Sequence, residues 1–372
     1  MRIAYVSDAI YPYNKGGKEK RLHELTTRLA VMGHDVHVYC MKWWDGPEKS
    51  RVENGVTLHA ISPLYPLYSG ERRSIKEGIL FGLAGFKLIK EDWDVIDVDH
   101  MPFFPLYSVW LVCVLKRKKM FASWHEVWGR QYWVEYMGAS GNIAALIERV
   151  AVLLPNRIFA ISNHTSTLLD EKLHRKKGVS IVMCGIDYHQ INAIAPANVK
   201  SDIIYAGRLL KHKNVDLLLH AVHSIKQQHA SISCTIIGNG PEQDNLKQIA
   251  KELSLEDSVT FINFVPKHDD LYAYIKASKV FAFPSEREGF GIVVLEANAA
   301  NVPVVAIDAE ANASKTLILP DVTGSVAQKN PEDFAKHIEY WLRADKKDIA
   351  QHVKQYDWQD IAEEMEKALQ LT

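Results

Sequence analysis

The chain has 372 residues, with 44 Lys plus Arg against 45 Asp plus Glu and 47% hydrophobic residues. This balance excludes disordered and collagen-like chains, and the length suits two domains. A net charge of −1 removes any global electrostatic reason to bind nucleic acid. Cys40, Cys113, Cys184 and Cys234 lie far apart with no C-x-x-C pair, which gives neither a disulfide framework nor a structural zinc site and fits a reducing cytoplasm. The opening Met1–Asp8 reads as a buried strand running into a polar loop rather than a secretory signal. The most apolar stretch, Met101 to Leu115, is interrupted by Pro102 and Pro105 and is shorter than the roughly 20 residues a spanning helix needs. A cytoplasmic chain, attached at most to a membrane surface, is expected.

In chain order, short apolar runs alternate with amphipathic stretches, the signature of parallel α/β sheets. Ile3–Ser7 is a strand, and Lys18 to Met32 a helix with Leu22, Leu25, Leu29 and Met32 at helical spacing, ended by Gly33. Strands follow at Val36–Cys40, Val95–Val98, Met120–Ser123 and Ile158–Ile161. Ile191 to Ser201 reads as a linker, after which strands recur at Ile203–Ala206, Ile232–Ile237, Val259–Phe261, Val280–Phe283 and Val304–Ile307. Helices are expected near Val215–Gln228, Pro241–Leu253, Asp269–Ala277 and Ile292–Ala300. The fold class is α/β: two Rossmann-like, doubly wound parallel-sheet domains facing a cleft, with ligands beyond the carboxyl ends of the strands.

The sharpest constellation is the Phe283-Pro284-Ser285-Glu286-Arg287-Glu288-Gly289-Phe290-Gly291 loop running into Ile292–Glu296. A strand ends, a glycine loop turns and a helix begins, so backbone N–H groups and the helix dipole are offered to a phosphate. Glu288 and Glu296 are eight residues apart; on a helical turn they would lie within roughly 80° of each other. Two such carboxylates suit vicinal hydroxyls on either side of a diphosphate. The bare string would otherwise describe a solvated turn residue and a surface-paired helix residue. Asp97-Val98-Asp99 points elsewhere, because carboxylates two apart on a strand share a side and could hold a divalent cation. Gly238-Asn239-Gly240 invites a dinucleotide reading, but its third glycine is missing at Gln243.

These segments resemble the retaining, metal-independent glycosyltransferases of family 4, with the GT-B fold. The resemblance rests on Glu288…Glu296, Tyr205–Leu209 with Lys213-Asn214, Ile236–Glu242, the Gly16-Gly17 pair and His125, and it spans nearly the whole chain. It implies an acceptor-binding domain at 1–187, a nucleotide-sugar-binding domain at 202–345, and a terminal helical stretch, 348–372, crossing back to the first domain. The implied reaction moves a hexose from a UDP- or GDP-sugar to an acceptor hydroxyl, on a lipid-linked or cell-surface glycan precursor. By the same resemblance Glu288 holds donor sugar hydroxyls, Glu296 the ribose, and Arg208 and Lys213 the departing diphosphate. The helix start after Gly289, Phe290 and Gly291 assists, Gly16 and Gly17 let the first loop approach phosphate or acceptor, and His125 contacts the donor sugar near the reacting carbon. No cofactor and no metal are implied, since fixed cations supply the positive charge.

Lys15, Lys18, Lys20 and Arg21 around the glycine pair suit an anionic acceptor, or simply a solvated helix face. Trp124, Trp128, Tyr132, Trp133 and Tyr136, with the Lys116–Lys119 basic run, suggest contact with an anionic membrane surface; core packing is the plainer reading. Against the family pattern, Cys184 stands where an Asn is common, Asn301 replaces a turn glycine, and Glu310–Thr316 replaces a glycine-rich stretch. An epimerase of the same fold, or a non-catalytic nucleotide-sugar-binding protein, are the competing readings.

Overall fold

The structure is a computed structural model that describes residues 1–370 apart from 71, 264, 266, 346 and 347. Its contacts group into two units, Met1–Cys184 with Trp358–Thr372, and Gly185–Asp357. The expected end of the terminal helix at Leu371 and Thr372 lies outside the described residues.

The first unit is built on one sheet with strands β1 (Arg2–Val6), β2 (Asp35–Met41), β3 (Ser50–Glu53) and β4 (Val56–Ser62). A small hairpin, β5 (Tyr68–Ser69) and β6 (Arg72–Arg73), stands apart, and β7 (Val95–Asp99), β8 (Met120–Trp124), β9 (Arg157–Ala160) and β10 (Val179–Ile181) complete the sheet. Its order is β10-β9-β8-β7-β1-β2-β4-β3, parallel except for the β3–β4 pair. Around it run α1 (Gly17–Val31), α2 (Ile75–Ala84), α3 (Phe104–Lys116), α4 (Gly129–Met137), α5 (Gly141–Ala151) and α6 (Asn163–Leu173). Strands buried on both faces need continuous apolar runs, which is why β1, β7 and β8 read so plainly. In α1, Leu22, Leu25 and Leu29 recur at helical spacing and face the core, and Gly33, at φ +93°, ends the helix.

The second unit carries α7 (Tyr188–Ala193), β11 (Ser201–Ala206), α8 (Val215–Lys226), β12 (Cys234–Ile237), α9 (Gln243–Glu252), β13 (Val259–Ile262) and α10 (His268–Lys276). It continues with β14 (Ser278–Phe283), α11 (Ile292–Ala299), β15 (Val304–Ile307), β16 (Gly324–Ala327) and α12 (Pro331–Arg343). The sheet is wholly parallel in the order β13-β12-β11-β14-β15-β16. The segment expected as a linker begins inside this unit, because Tyr188–Ala193 is helical and Lys276 donates from its Nζ to the Asn192 carbonyl at 2.6 Å.

The terminal stretch is divided. Ala350–Tyr356 forms a 3₁₀ helix belonging to the second unit, whose Asn301 Oδ1 accepts from the Ile349 N–H at 2.8 Å. The last helix, α13 (Trp358–Gln370), packs on the first unit through buried Trp358, Ile361, Met365 and Leu369. Its Glu366 meets the His34 imidazole at 2.9 Å beside the end of α1. Trp358→Ala should therefore lower the stability of the first unit by about 3–5 kcal/mol, the loss typical of a buried aromatic; urea unfolding of the full chain measures it.

Candidate functional site

In each sheet the winding reverses at one pair of strands, β1 with β7 and β11 with β14. Loops leaving the two strands of such a pair run to opposite faces and open a crevice at their carboxyl ends. The sequence-derived site residues fall at both places.

In the first unit Asp8 follows β1, Asp99 ends β7 and His125 follows β8, three neighbouring strands. Lys18, one residue into α1 after Gly17, joins them. Its Nζ donates to Asp8 Oδ1 at 2.6 Å and lies 3.5 Å from Asp99 Oδ2. Burial works against the Lys18 charge, but Asp8 and Asp99 outweigh it and hold the ammonium protonated. Asp99 Oδ1 meets His125 Nε2 at 3.1 Å. Burial pushes the Asp99 carboxyl up, yet Lys18 and His125 together bring it well below the usual range. Arg73, in the second strand of the small hairpin, pairs with the other oxygen of Asp8 and lies 3.8 Å from Glu77. Gly16 precedes α1, and a side chain there would meet the Glu19 carboxylate at 2.2 Å.

This arrangement revises two expectations. Lys18 is tied to carboxylates, and Arg21 is buried with its guanidinium on Ser123 Oγ and the Val182 carbonyl, so two of the four basic residues around the glycine pair are engaged internally, while Lys15 is exposed. Asp97 and Asp99 do share a side, lining one small internal cavity with Lys18, Arg21, Ser123 and His125. They are unlike in state, however. Asp97 is buried with one oxygen on Ser123 Oγ at 2.7 Å and the other unpartnered, and burial pushes its carboxyl up to about 7. Among the described residues no cluster of three or more His, Cys, Asp or Glu is arranged to hold a metal ion.

The aromatic group after β8 is mostly internal. Trp124 and Trp133 are buried, and buried Glu148 accepts from the N–H groups of Trp128 and Gly129 and from Trp133 Nε1, each at 2.9 Å. Trp128 and Tyr136 pack partly buried against the same core, and Tyr132 is partly exposed.

In the second unit, Arg208 follows β11 and Lys213 closes a 3₁₀ turn after it. Glu288 lies in the loop after β14 and is ion-paired with Lys213. Asn214 Nδ2 donates to the Pro284 carbonyl at 3.1 Å, and the Glu286 N–H to the His212 carbonyl at 2.9 Å, so the two loops are stitched together. Glu288 is not on a helical turn: α11 starts at Ile292, and Gly291 before it is left-handed at φ +89°. A Cβ on Gly291 would sit 2.4 Å from Ser314 Cβ, so only glycine fits. Glu296 is buried inside α11 and accepts from Tyr272 Oη at 2.9 Å. Phe290 is buried beneath the loop, while Gly289 precedes it in the bend.

Two further features were not read from the sequence. The backbone of Glu288 pairs with 311–313, whose Asn312 is buried and accepts from both Ser314 Oγ and its N–H. Arg287 belongs with Arg208 and Lys213: burial, then Lys213 and both arginines, depress the His212 imidazole to about 4. Lys213, Arg287 and Arg208 thus lie around a neutral imidazole at this end of β11. The Gly238–Gly240 turn is explained without any cofactor, since a Cβ on Gly238 would lie 1.9 Å from the Gly207 carbonyl oxygen. Glycine there permits the backbones to touch.

Asp97 provides a test. Its folded pKa near 7 exceeds an unfolded value near 4, so between these pH values the folded state holds the extra proton and stability falls as pH rises. Asp97→Asn should flatten that slope and raise the melting temperature near pH 7.5 relative to wild type; thermal melts from about pH 4 to 8 measure it.

Two family models match adjacent parts of the chain: Glycosyltransferase Family 4 over residues 15–190 and Glycosyl transferases group 1 over residues 189–356. An uncharacterized glycosyltransferase of Haemophilus influenzae is 29% identical over 56% of this chain, a match that spans 58% of that relative. The phosphatidylinositol N-acetylglucosaminyltransferase gpi3 subunit of Schizosaccharomyces pombe is 24% identical over 97% of this chain and 79% of its own. Among solved structures, Anabaena HepE in complex with UDP and glucose is similar in fold, at a TM-score of 0.76 and 17% identity with all of both chains covered. With both family models matched in sequence order and two doubly wound parallel sheets, the chain belongs to the family 4 glycosyltransferases and has the GT-B fold.

Proposed function

We propose that the chain transfers a hexose from a nucleoside diphosphate sugar, with UDP or GDP as the nucleotide, to an acceptor hydroxyl with retention of configuration. The observation that carries this reading is the cluster of Arg208, Lys213 and Arg287 at the β11–β14 reversal, beside Glu288 and the glycine loop. A departing diphosphate gains negative charge, and fixed cations in place before reaction stabilise it without reorganisation. Arginine forks and a lysine point charge can share several phosphate oxygens, so a divalent ion is not needed in this scheme. The complex of Anabaena HepE with UDP and glucose supports a nucleotide-sugar donor.

The residues then divide the work. In the free protein Lys213 is paired with Glu288. Arrival of the diphosphate draws Lys213 to phosphate oxygens, which frees the Glu288 carboxylate to accept hydrogen bonds from sugar hydroxyls. Glu296, oriented by Tyr272, is proposed to receive the ribose hydroxyls. Arg208 and Arg287 neutralise the leaving group, and the first turn of α11 offers its N–H groups. The first unit is the proposed acceptor domain, with Gly16 and Gly17 at the approach and His125, its ring held by Asp99, contacting a substrate hydroxyl. The acceptor is proposed to be a glycan or lipid-linked precursor at the cytoplasmic face of a membrane. The S. pombe relative, named for a phosphatidylinositol acceptor, supports that class.

Lys213→Ala should cut turnover by about 10²–10³-fold, the scale of losing one preorganised charge contact, while the melting temperature stays near wild type. Turnover should be unaffected by EDTA; strong inhibition reversed by magnesium would overturn the metal-free scheme. Gly291→Ala, which forces a Cβ against Ser314, should raise the donor KM by about tenfold or more. Calorimetric titration with UDP- and GDP-hexoses tests the whole reading, which fails if neither class binds.

A further inference from the structure

Three helices of the first unit leave apolar stripes uncovered. On α2 and the 3₁₀ turn that extends it, Gly85–Lys90, the exposed stripe includes Ile79, Leu83 and Phe86. On α3 it includes Val114, and on α5 Ile143, Leu146 and Val150. The helices are neighbours. A Cβ on Gly82 would lie 2.5 Å from Phe104 Cβ, so α2 and α3 touch, and Tyr107 Oη of α3 donates to the Ile147 carbonyl of α5 at 2.7 Å. Isolated exposed hydrophobics are ordinary; stripes on three adjacent helices are not.

The charge on these elements has one sign. Their two acidic residues, Glu77 and Glu148, are both buried, whereas Lys76, Lys87, Lys90 and Arg149 are exposed. The basic residues also gather at one end. Lys116 Nζ donates to the carbonyls of Ile89 at 3.2 Å and Glu91 at 2.6 Å, which draws the end of the 3₁₀ turn to the end of α3. Lys87, Lys90, Arg117 and Lys119 are exposed there together, while the neighbouring Asp92 and Asp94 accept from Lys118 Nζ at 2.5 Å and the Arg2 N–H at 2.7 Å. An apolar face edged by cations fits a surface whose interior is apolar and whose headgroups are anionic. A partner protein of ordinary composition would call for carboxylates as well.

We propose that the outer face of α2, α3 and α5 docks on an anionic lipid bilayer, with the aliphatic stripes in the acyl boundary and the lysines among the headgroups. This deepens the membrane-proximal acceptor proposed above and rests on that part of the reading. The contact is peripheral in kind, since among the described residues no helix is long and apolar enough to cross a membrane. It keeps the Lys116–Lys119 run of the contact expected from the sequence but not its aromatic part, since Trp124 and Trp133 are buried and Trp128 and Tyr136 pack against the core.

The test is sedimentation of the full chain with vesicles of phosphatidylcholine alone or mixed with phosphatidylglycerol in roughly equal parts, at low and high salt. The expected result is binding to the anionic vesicles, weakened by salt, and a tenfold or greater loss in Leu83→Glu/Leu146→Glu and in Lys90→Glu/Lys119→Glu. Melting temperature and UDP- or GDP-sugar binding should stay at wild-type values in both. Absence of wild-type binding overturns the docking surface together with the membrane-proximal acceptor. Undiminished binding by both variants overturns the surface alone. Self-association in ultracentrifugation that Leu83→Glu/Leu146→Glu abolishes, without vesicle binding, would assign the face to a second copy and equally overturn it. None of these outcomes touches the donor reading, which stands or falls on nucleotide-sugar titration of the same samples.

Discussion

Parallel pairing forces the carboxyl ends of neighbouring strands to one edge of a sheet, and both polar clusters of this protein follow from that constraint. Asp8, Asp99 and His125 are distant in sequence but terminate β1, β7 and β8, which lie side by side. Arg208 and Glu288 leave β11 and β14, again neighbours, and the 311–313 segment that braces Glu288 follows β15. A strand interior buried on both faces disfavours charge, Asp97 of β7 being the exception, so charge collects where the strands stop. The reversal of winding at β1–β7 and β11–β14 keeps helices from covering those ends.

The two clusters use charge differently. In the first unit Lys18 is held by Asp8 and Asp99 and Arg73 by Asp8, while buried Arg21 donates to Ser123 Oγ and the Val182 carbonyl. Such buried pairs hold loops in register, and removing one partner strands the other. In the second unit the ion pair of Lys213 with Glu288 sits beside His212, which burial and the nearby Lys213, Arg287 and Arg208 keep neutral.

Much of the fold was legible because buried parallel strands appear as short apolar runs. The outer β3–β4 pair lacks that mark, and α3 was obscured by its prolines. Pro105 falls in the first turn of α3, where the missing N–H is not needed, so it is compatible with the helix start. The site was legible wherever chemistry follows local spacing, as for the Glu288–Gly291 loop and the segment through Lys213. It was not legible where a partner comes from another element. Tyr272 lies 24 residues before Glu296, and no periodicity links them. The helical geometry expected for Glu288 and Glu296 failed for one reason: left-handed Gly291 redirects the chain between them.

The ion pair between Lys213 and Glu288 also bears on traffic through the site. Under the proposed reaction, a ligand must satisfy two groups that already satisfy each other. A bare phosphate can recruit the lysine but leaves the glutamate without a counter-charge; a free sugar does the reverse. Only a molecule carrying both ends answers both demands, which makes the resting pair a two-key lock. Once the sugar has moved on, the glutamate competes again for its lysine, and the spent nucleotide is displaced by the protein's own side chain.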